Sequence, residues 1–402
     1  MGAVMQKIRE QEILGRELRA NPSYELVLFD RLEPDLRQAL ANLEKEPGFY
    51  GVLRPAGEMR PGGLGLKSVD RDTALLFLTL REPGRLPGYV RLLSGEGAAR
   101  VAAQLVADGV LEIEREGAFV SGANAFDLLW EEGGGEARGG GGRLAGLSRA
   151  ALRYGQSLAL TDPMRLSLRL YGYNRRPLNP AWKRLLPDAG AVERHLGIGV
   201  GGPHRRLLDR SWSRTGPSDS WLSWRRRGVD QGGDGGRLAA SGATWKLYVS
   251  PAPEALADGF GRILDALAAT RAPQFKIGTD AAGLLRPDKM VAYYPSFERL
   301  ATAAEALTER LAGTPAQGVP FTSEIGAEGL LSWGVDPPAD SQWSGRESWR
   351  LWLTHRLAVA LLSGKKSEAP GVEPWRFALE RLRLEGVDTD SWTPGGTLFR
   401  EA

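Results

Sequence analysis

Trp245-Lys-Leu-Tyr-Val-Ser-Pro251 alternates apolar and polar residues over the length of one strand. Trp245, Leu247 and Val249 fall on one face, and Lys246, Tyr248 and Ser250 on the other. Phe275-Lys-Ile-Gly278 and Leu285-Arg-Pro-Asp-Lys-Met290 share this character. Together they bring Lys246, Lys276, Arg286 and Lys289 into segments that otherwise read as buried strands or tight turns. A cation near a core costs free energy unless a negative group meets it there. Several in one region predict an anion site, with phosphate the anion that best suits arginine forks and lysine ammonium groups.

Around this strand the pattern is regular. Residues 253–270 predict a helix with Leu256, Phe260, Ile263, Leu264 and Leu267 as its apolar stripe. Phe275-Lys-Ile and Met290-Val-Ala-Tyr-Tyr294 predict short strands, and residues 297–311 and 348–362 predict further helices. Short strands alternating with helices give an α+β domain, a mixed or antiparallel sheet with flanking helices, over residues 144–402.

Residues 1–132 predict a separate accessory region. Residues 5–46 carry helical spacing at Leu36, Leu40 and Leu43. Gly51-Val-Leu-Arg54 and Leu64 to Val69 predict two strands around a Pro-Gly-Gly turn. Asp72 is the expected cap of an apolar helix, a second helix covers Ala98 to Asp108, and Val110 to Ser121 predicts a hairpin. Helix, helix and hairpin form a winged-helix-like pattern, similar to the leader-peptide recognition domain of peptide-modifying enzymes; a helical accessory domain without a ligand fits equally. DNA binding is disfavoured, because residues 98–108 carry Arg100 as their one cation, beside Asp108. Gly133-Gly-Gly-Glu-Ala-Arg-Gly-Gly-Gly-Gly142 predicts a linker over 133–143.

Residues 165–227 hold fourteen Lys and Arg against four Asp and Glu, an excess larger than the +3 of the whole chain. Trp182, Trp212, Trp221 and Trp224 interleave with them. Three readings stay open: core tryptophans with solvated arginines, a surface for an acidic or phosphorylated peptide, or a platform for single-stranded nucleic acid. Gly228 to Gly242 is too glycine-rich for a core.

Composition narrows the chemistry. The chain of 402 residues has no cysteine, so neither a disulfide framework nor a thiolate metal site is available. Its three histidines, His195, His204 and His355, lack ligand spacing; no metal and no cofactor is expected. The N-terminus has no apolar signal core, and no run approaches the ~20 apolar residues of a membrane span. A soluble, cytoplasmic protein without a membrane partner is expected. No nucleotide-binding glycine loop, nucleophile elbow or zinc-protease helix stands in a convincing context.

The candidate residues form three groups. Lys246, Tyr248 and Ser250 share a strand face, where a lysine of lowered pKa can act as a base and Tyr248 can donate a proton or orient a substrate. Lys276, Arg286 and Lys289, with Asp288, form the second. Arg346 and Arg350, four residues apart, form the third, with His355 and Arg356 beyond.

Residues ~165–362 resemble the HopA-type effector family and its relatives in peptide natural-product clusters. The motifs are Leu170-Tyr-Gly-Tyr-Asn-Arg-Arg-Pro-Leu-Asn-Pro-Ala-Trp182, Trp245-Lys-Leu-Tyr-Val-Ser-Pro251, Phe275-Lys-Ile-Gly278, Leu285-Arg-Pro-Asp-Lys-Met290, Val319-Pro-Phe-Thr-Ser-Glu324 and Gly329-Leu-Leu-Ser-Trp-Gly-Val-Asp-Pro-Pro338. The resemblance implies the lyase partner of a separate kinase subunit, as in class V lanthipeptide and thioamitide biosynthesis. The kinase phosphorylates Ser or Thr of a ribosomal precursor peptide, and the lyase eliminates phosphate to leave a dehydroamino acid. A more distant resemblance runs to phosphothreonine lyases, whose signature is lysine, any residue, histidine on one strand. It implies Lys246 as the α-proton base and places Tyr248 where that family has its histidine. It implies Lys276, with Arg286, Arg346 and Arg350, on the phosphate side, where Lys289 is also expected. The alternative is a partner protein that binds a phosphopeptide or the kinase without turnover.

Overall fold

The computed structural model describes residues 8–41, 48–56, 65–131, 142–216, 220–228, 244–326, 328–336, 348–369, 371–395 and 398. The fold is α+β, and its strands form antiparallel sheets. In chain order the strands are β1 (Leu18–Ala20), β2 (Tyr24–Leu28), β3 (Phe49–Pro55), β4 (Lys67–Asp70), β5 (Leu111–Arg115), β6 (Ala118–Val120), β7 (Trp212–Arg214), β8 (Trp221–Arg226), β9 (Trp245–Val249), β10 (Gln274–Gly278), β11 (Met290–Tyr294), β12 (Ser323–Ile325), β13 (Leu331–Val335), β14 (Val387–Asp388) and β15 (Thr393–Pro394).

The central sheet has seven strands in the order β12-β13-β9-β11-β10-β8-β7. Every pairing in it is antiparallel. One face is apolar because β9, β10 and β11 alternate in phase: Leu247, Val249, Phe275, Ile277, Met290, Ala292 and Tyr294 belong to one core. The helices Pro253–Ala269 and Phe297–Arg310 cover that face. Leu256, Phe260, Ile263, Leu264 and Leu267, the stripe read from sequence, are all fully buried, each stabilising the fold by about 1.5–3 kcal/mol. Pro253 sits in the first turn, where its missing N–H leaves no bond unmade.

A second core joins the two ends of the chain. Ile13, Leu18, Val106, Leu129 and Trp130 pack in one cluster with Trp349, Leu353, Phe377, Leu382 and Trp392. Polar contacts follow the same seam: Arg381 pairs with Asp108 at 2.5 Å, and Arg100 donates to the carbonyl of Leu384 at 3.0 Å. The helix Trp349–Lys365 runs through this core and is buried on most sides.

The N-terminal strands form two small sheets, β2-β3-β4 and β1-β5-β6. The expected pairing of residues 51–54 with 64–69 is present as β3 with β4; the Pro-Gly-Gly turn between them lies outside the described residues. The hairpin read after residue 110 is β5 with β6, and β1 adds to its free edge. Two readings change. The helical spacing over 5–46 yields two short helices, Glu10–Gly15 and Pro34–Ala39, with β1 and β2 between them. Asp70, not Asp72, caps the next helix by accepting from the Thr73 N–H at 2.7 Å. Leu43, most of 133–142 and nearly all of 228–242 lie outside the described residues. Among the described residues no helix is long and apolar enough to cross a membrane.

Candidate functional site

The opposite face of the central sheet is polar. The alternation that buries Leu247 and Val249 turns Lys246, Tyr248 and Ser250 to this side. The register then fixes their neighbours. Lys246 stands between Tyr293 of β11 and Gly334 of β13; Tyr248 stands between Val291 and Ser332. On β10, Lys276 lies opposite Val291 on one side and Ser223 of β8 on the other.

Lys246 and Lys276 share one aromatic neighbour. The Lys246 Nζ is 5.8 Å, and the Lys276 Nζ 5.5 Å, from the centre of the Tyr293 ring. Lys276 also lies 4.2 Å from the Trp221 ring, and the Arg286 guanidinium 4.9 Å from the same ring. Trp221, Lys276, Tyr293, Lys246 and Arg286 thus form a continuous cationic and aromatic cluster, in which Lys246 is buried. Burial, with the charge of Lys246 next in weight, lowers the pKa of Lys276 to about 8. Lys246 is ion-paired with Asp336. The second oxygen of Asp336 accepts from the Trp349 N–H at 2.8 Å, so this carboxylate ties β9 to the start of the helix Trp349–Lys365.

That helix can approach because residue 334 is glycine. A Cβ there would lie 2.8 Å from the Trp349 ring. The approach places Arg350 under the polar face at 0% exposure. Its guanidinium donates to Asp288 at 2.9 Å, to the Pro320 carbonyl at 3.1 Å and to the Tyr171 carbonyl at 2.9 Å, and it lies 4.3 Å from the centre of the Tyr171 ring. Asp288 also accepts two bonds of 2.8 Å from Arg286 and one of 3.0 Å from the Tyr171 hydroxyl. Burial alone would raise the Asp288 carboxyl; Arg350, Arg286 and Tyr171 together hold it well below the usual carboxylate range. Asp288 is the hub of the site, its single negative charge shared between Arg350 and Arg286.

The expected residues therefore separate. Lys246, Lys276 and Arg286 meet on the polar face. Tyr248 is on that face but only 3% exposed, within a small cluster with Val291 and Val319; burial holds its hydroxyl pKa well above the ordinary tyrosine value. Lys289 is 0% exposed and donates to the Pro251 carbonyl at 2.8 Å and to Gln317 at 2.6 Å. Burial brings its pKa down to about 7. Lys289 and Arg350 lie beneath the face, not on it. Arg346 lies outside the described residues.

Trp221, read among the tryptophans of the basic segment, joins the site. Tyr171, Tyr293 and Asp336 join it without having been singled out, though each had a signal. Tyr293 shares the strand alternation of residues 290–294, and Tyr171 and Asp336 stand inside the motifs quoted above. In the basic segment, Trp212 and Trp224 are core residues packed on Phe275, at ring-centre distances of 5.2 and 5.1 Å.

No family model and no curated protein matches this sequence. Among solved structures the chain is similar to two effector proteins. One is from Pseudomonas syringae pv. tomato strain DC3000, with a TM-score of 0.35 and 11% identity, covering 63% of this chain and 100% of that one. The other is from Pseudomonas syringae pv. syringae strain 61, with a TM-score of 0.37 and 12% identity, covering 63% of this chain and 99% of that one.

Proposed function

We propose that the protein is a phosphoserine or phosphothreonine lyase that eliminates phosphate from a phosphorylated ribosomal precursor peptide. The observation that carries this reading is the polar face itself: two lysines flank one tyrosine ring, and one of them has a pKa of about 8. Elimination of this kind needs a base near the substrate α-carbon and positive charge for the departing phosphate. The face offers both in adjoining groups.

We assign the base to Lys276. At a pKa of about 8, roughly a tenth of it is neutral at pH 7 and able to take a proton. Lys246, the base implied by resemblance, is held in an ion pair with Asp336. Its role in this reading is that of a fixed cation, with Arg286, for the phosphate. In the step, the Cα–H bond breaks and its proton passes to Lys276. The electron pair forms the Cα=Cβ bond, and the Cβ–O bond breaks with its electrons leaving on phosphate. Tyr248 keeps its proton at neutral pH and serves as a hydrogen-bond donor or a wall of the site. Lys289, Arg350 and Asp288 position the surface from below. The N-terminal sheets and helices are the proposed holder of the precursor's leader, and a separate kinase is the proposed supplier of the phosphorylated peptide.

The test is incubation of the purified protein with a phosphorylated peptide in the absence of kinase, read by mass spectrometry. Loss of phosphoric acid is expected, and Lys246→Ala and Lys276→Ala should each abolish it while remaining folded. Tight binding of the phosphopeptide with no mass loss at any pH would replace the lyase by a phosphopeptide-binding protein.

A further inference from the structure

On the helix side of the sheet, away from the polar face, four arginines line a groove of about 480 Å³. Arg210 comes from the helix Arg205–Ser211, Arg226 and Arg227 from the end of β8, and Arg271 from the turn after the helix Pro253–Ala269. Alternation sets the side: Ser223, opposite Lys276, faces the polar surface, whereas Leu222 and Trp224 face the core, and Arg226 follows their phase.

The groove holds its cations without neutralising them. Among the described residues none of the four arginines makes an ion pair. Arg226 lies 5.8 Å from the Trp212 ring and donates to the Ala268 carbonyl at 3.4 Å. Arg227 donates to the carbonyls of Asp209 and Trp212 at 2.6 and 3.0 Å. These contacts are with carbonyls, which orient a guanidinium but leave its charge unbalanced. Asp265 is the one acid in the lining. Burial, then repulsion from Arg271 and Arg299, lowers the pKa of Arg226. An arrangement that keeps like charges together at such cost favours an anionic occupant, and guanidinium forks suit carboxylates and phosphates.

We propose that this groove binds an acidic segment of the peptide on which the polar face acts. The peptide's identity rests on the lyase reading; the groove's charge does not. A nucleic acid fits less well, since Trp212 and Trp224 are buried and offer no stacking surface. Geometry also sets a spacing. Arg226 is three residues along β8 from the partner of Lys276, about 10 Å, and the path must also cross β7 and round the sheet edge, so an extended peptide of about 3.3 Å per residue needs on the order of eight residues between its phosphate and its acidic segment.

The test uses the full chain and a fluorescent Asp/Glu-rich peptide with no phosphate, followed by anisotropy at low and physiological salt. Binding that weakens with salt is expected, and weakens at least tenfold in the double variant Arg210→Glu, Arg271→Glu. Both residues are exposed, so the fold should be retained, as circular dichroism would verify. Lys246→Ala should bind this peptide as well as the wild type does. Joining a phosphoserine through a long spacer should tighten binding over a short spacer. Equal affinity in the double variant, or tighter binding of single-stranded DNA of matched charge through the same arginines, would overturn the proposal. Binding of the acidic peptide without elimination from any phosphopeptide would keep the groove and reject the lyase.

Discussion

Replacing Lys276 by arginine keeps a cation on the polar face but removes a group able to be neutral near pH 7. With a pKa of about 8, the neutral fraction of Lys276 rises from roughly a tenth at pH 7 to roughly nine-tenths at pH 9. The elimination rate of the wild type should therefore climb about tenfold over that range and level off above it, as expected of a single essential base. Lys276→Arg should lose the climb and, with it, about 10²–10⁴-fold in kcat. Because the chain has no cysteine, a sharper form is available: Lys276→Cys alkylated with bromoethylamine restores an amine more acidic than that of lysine. It should recover activity, with the rise displaced to lower pH. The assay is the initial rate of dehydroalanine formation from a phosphoserine peptide across pH. A rate independent of pH between 7 and 9, or Lys276→Arg within tenfold of wild type, would refute the assignment of Lys276 as base.

Asp288→Asn should cost about 3–5 kcal/mol in urea unfolding, because Arg350 would be left buried without its counter-charge; adding Arg350→Met should return part of the loss. Lys289 titrates in the folded state near 7 and when unfolded near its ordinary value. The unfolded chain thus binds more protons between those limits, and its contribution to stability is full above the unfolded value and is lost as pH falls toward 7. Unfolding measured at pH 7 and 9 should show a gain with pH that shrinks in Lys289→Met. Asp336→Asn should tighten inhibition by inorganic phosphate several-fold, since Lys246 would no longer be neutralised; unchanged inhibition would remove Asp336 as a competitor for that lysine. Gly334→Ala should lower stability by forcing the Trp349 ring from the sheet, visible as a lower midpoint in thermal unfolding.

What was legible in the sequence follows from local period. The alternation at 245–250 and the stripe at 256–267 each report which face is dry, and both faces fall where that pattern puts them. Register was not legible. Nothing local tells that β9 lies between β11 and β13, so neither the shared Tyr293 ring nor the pairing of Lys246 with Asp336 could be read. Lys289 was legible as a cation near a core, but not its partner Gln317; Arg350 looks like a surface charge by type, and its burial depends on Asp288, supplied from a distant part of the chain. The N-terminal stretch shows the converse. The spacing of Leu36 and Leu40 suits a helix, yet β1 and β2 form because β5 and β3 offer them edges.

The core that joins Trp130 to Phe377 and Trp392 has a consequence for synthesis. At about 5–20 residues per second, the roughly 220 residues between Trp130 and Trp349 take on the order of ten to forty seconds to emerge from the ribosome. Through that interval the early helices have no late partner to cover them. Phe377 and Trp392 then close over residues made long before them, Ile13, Leu18 and Trp130 among them.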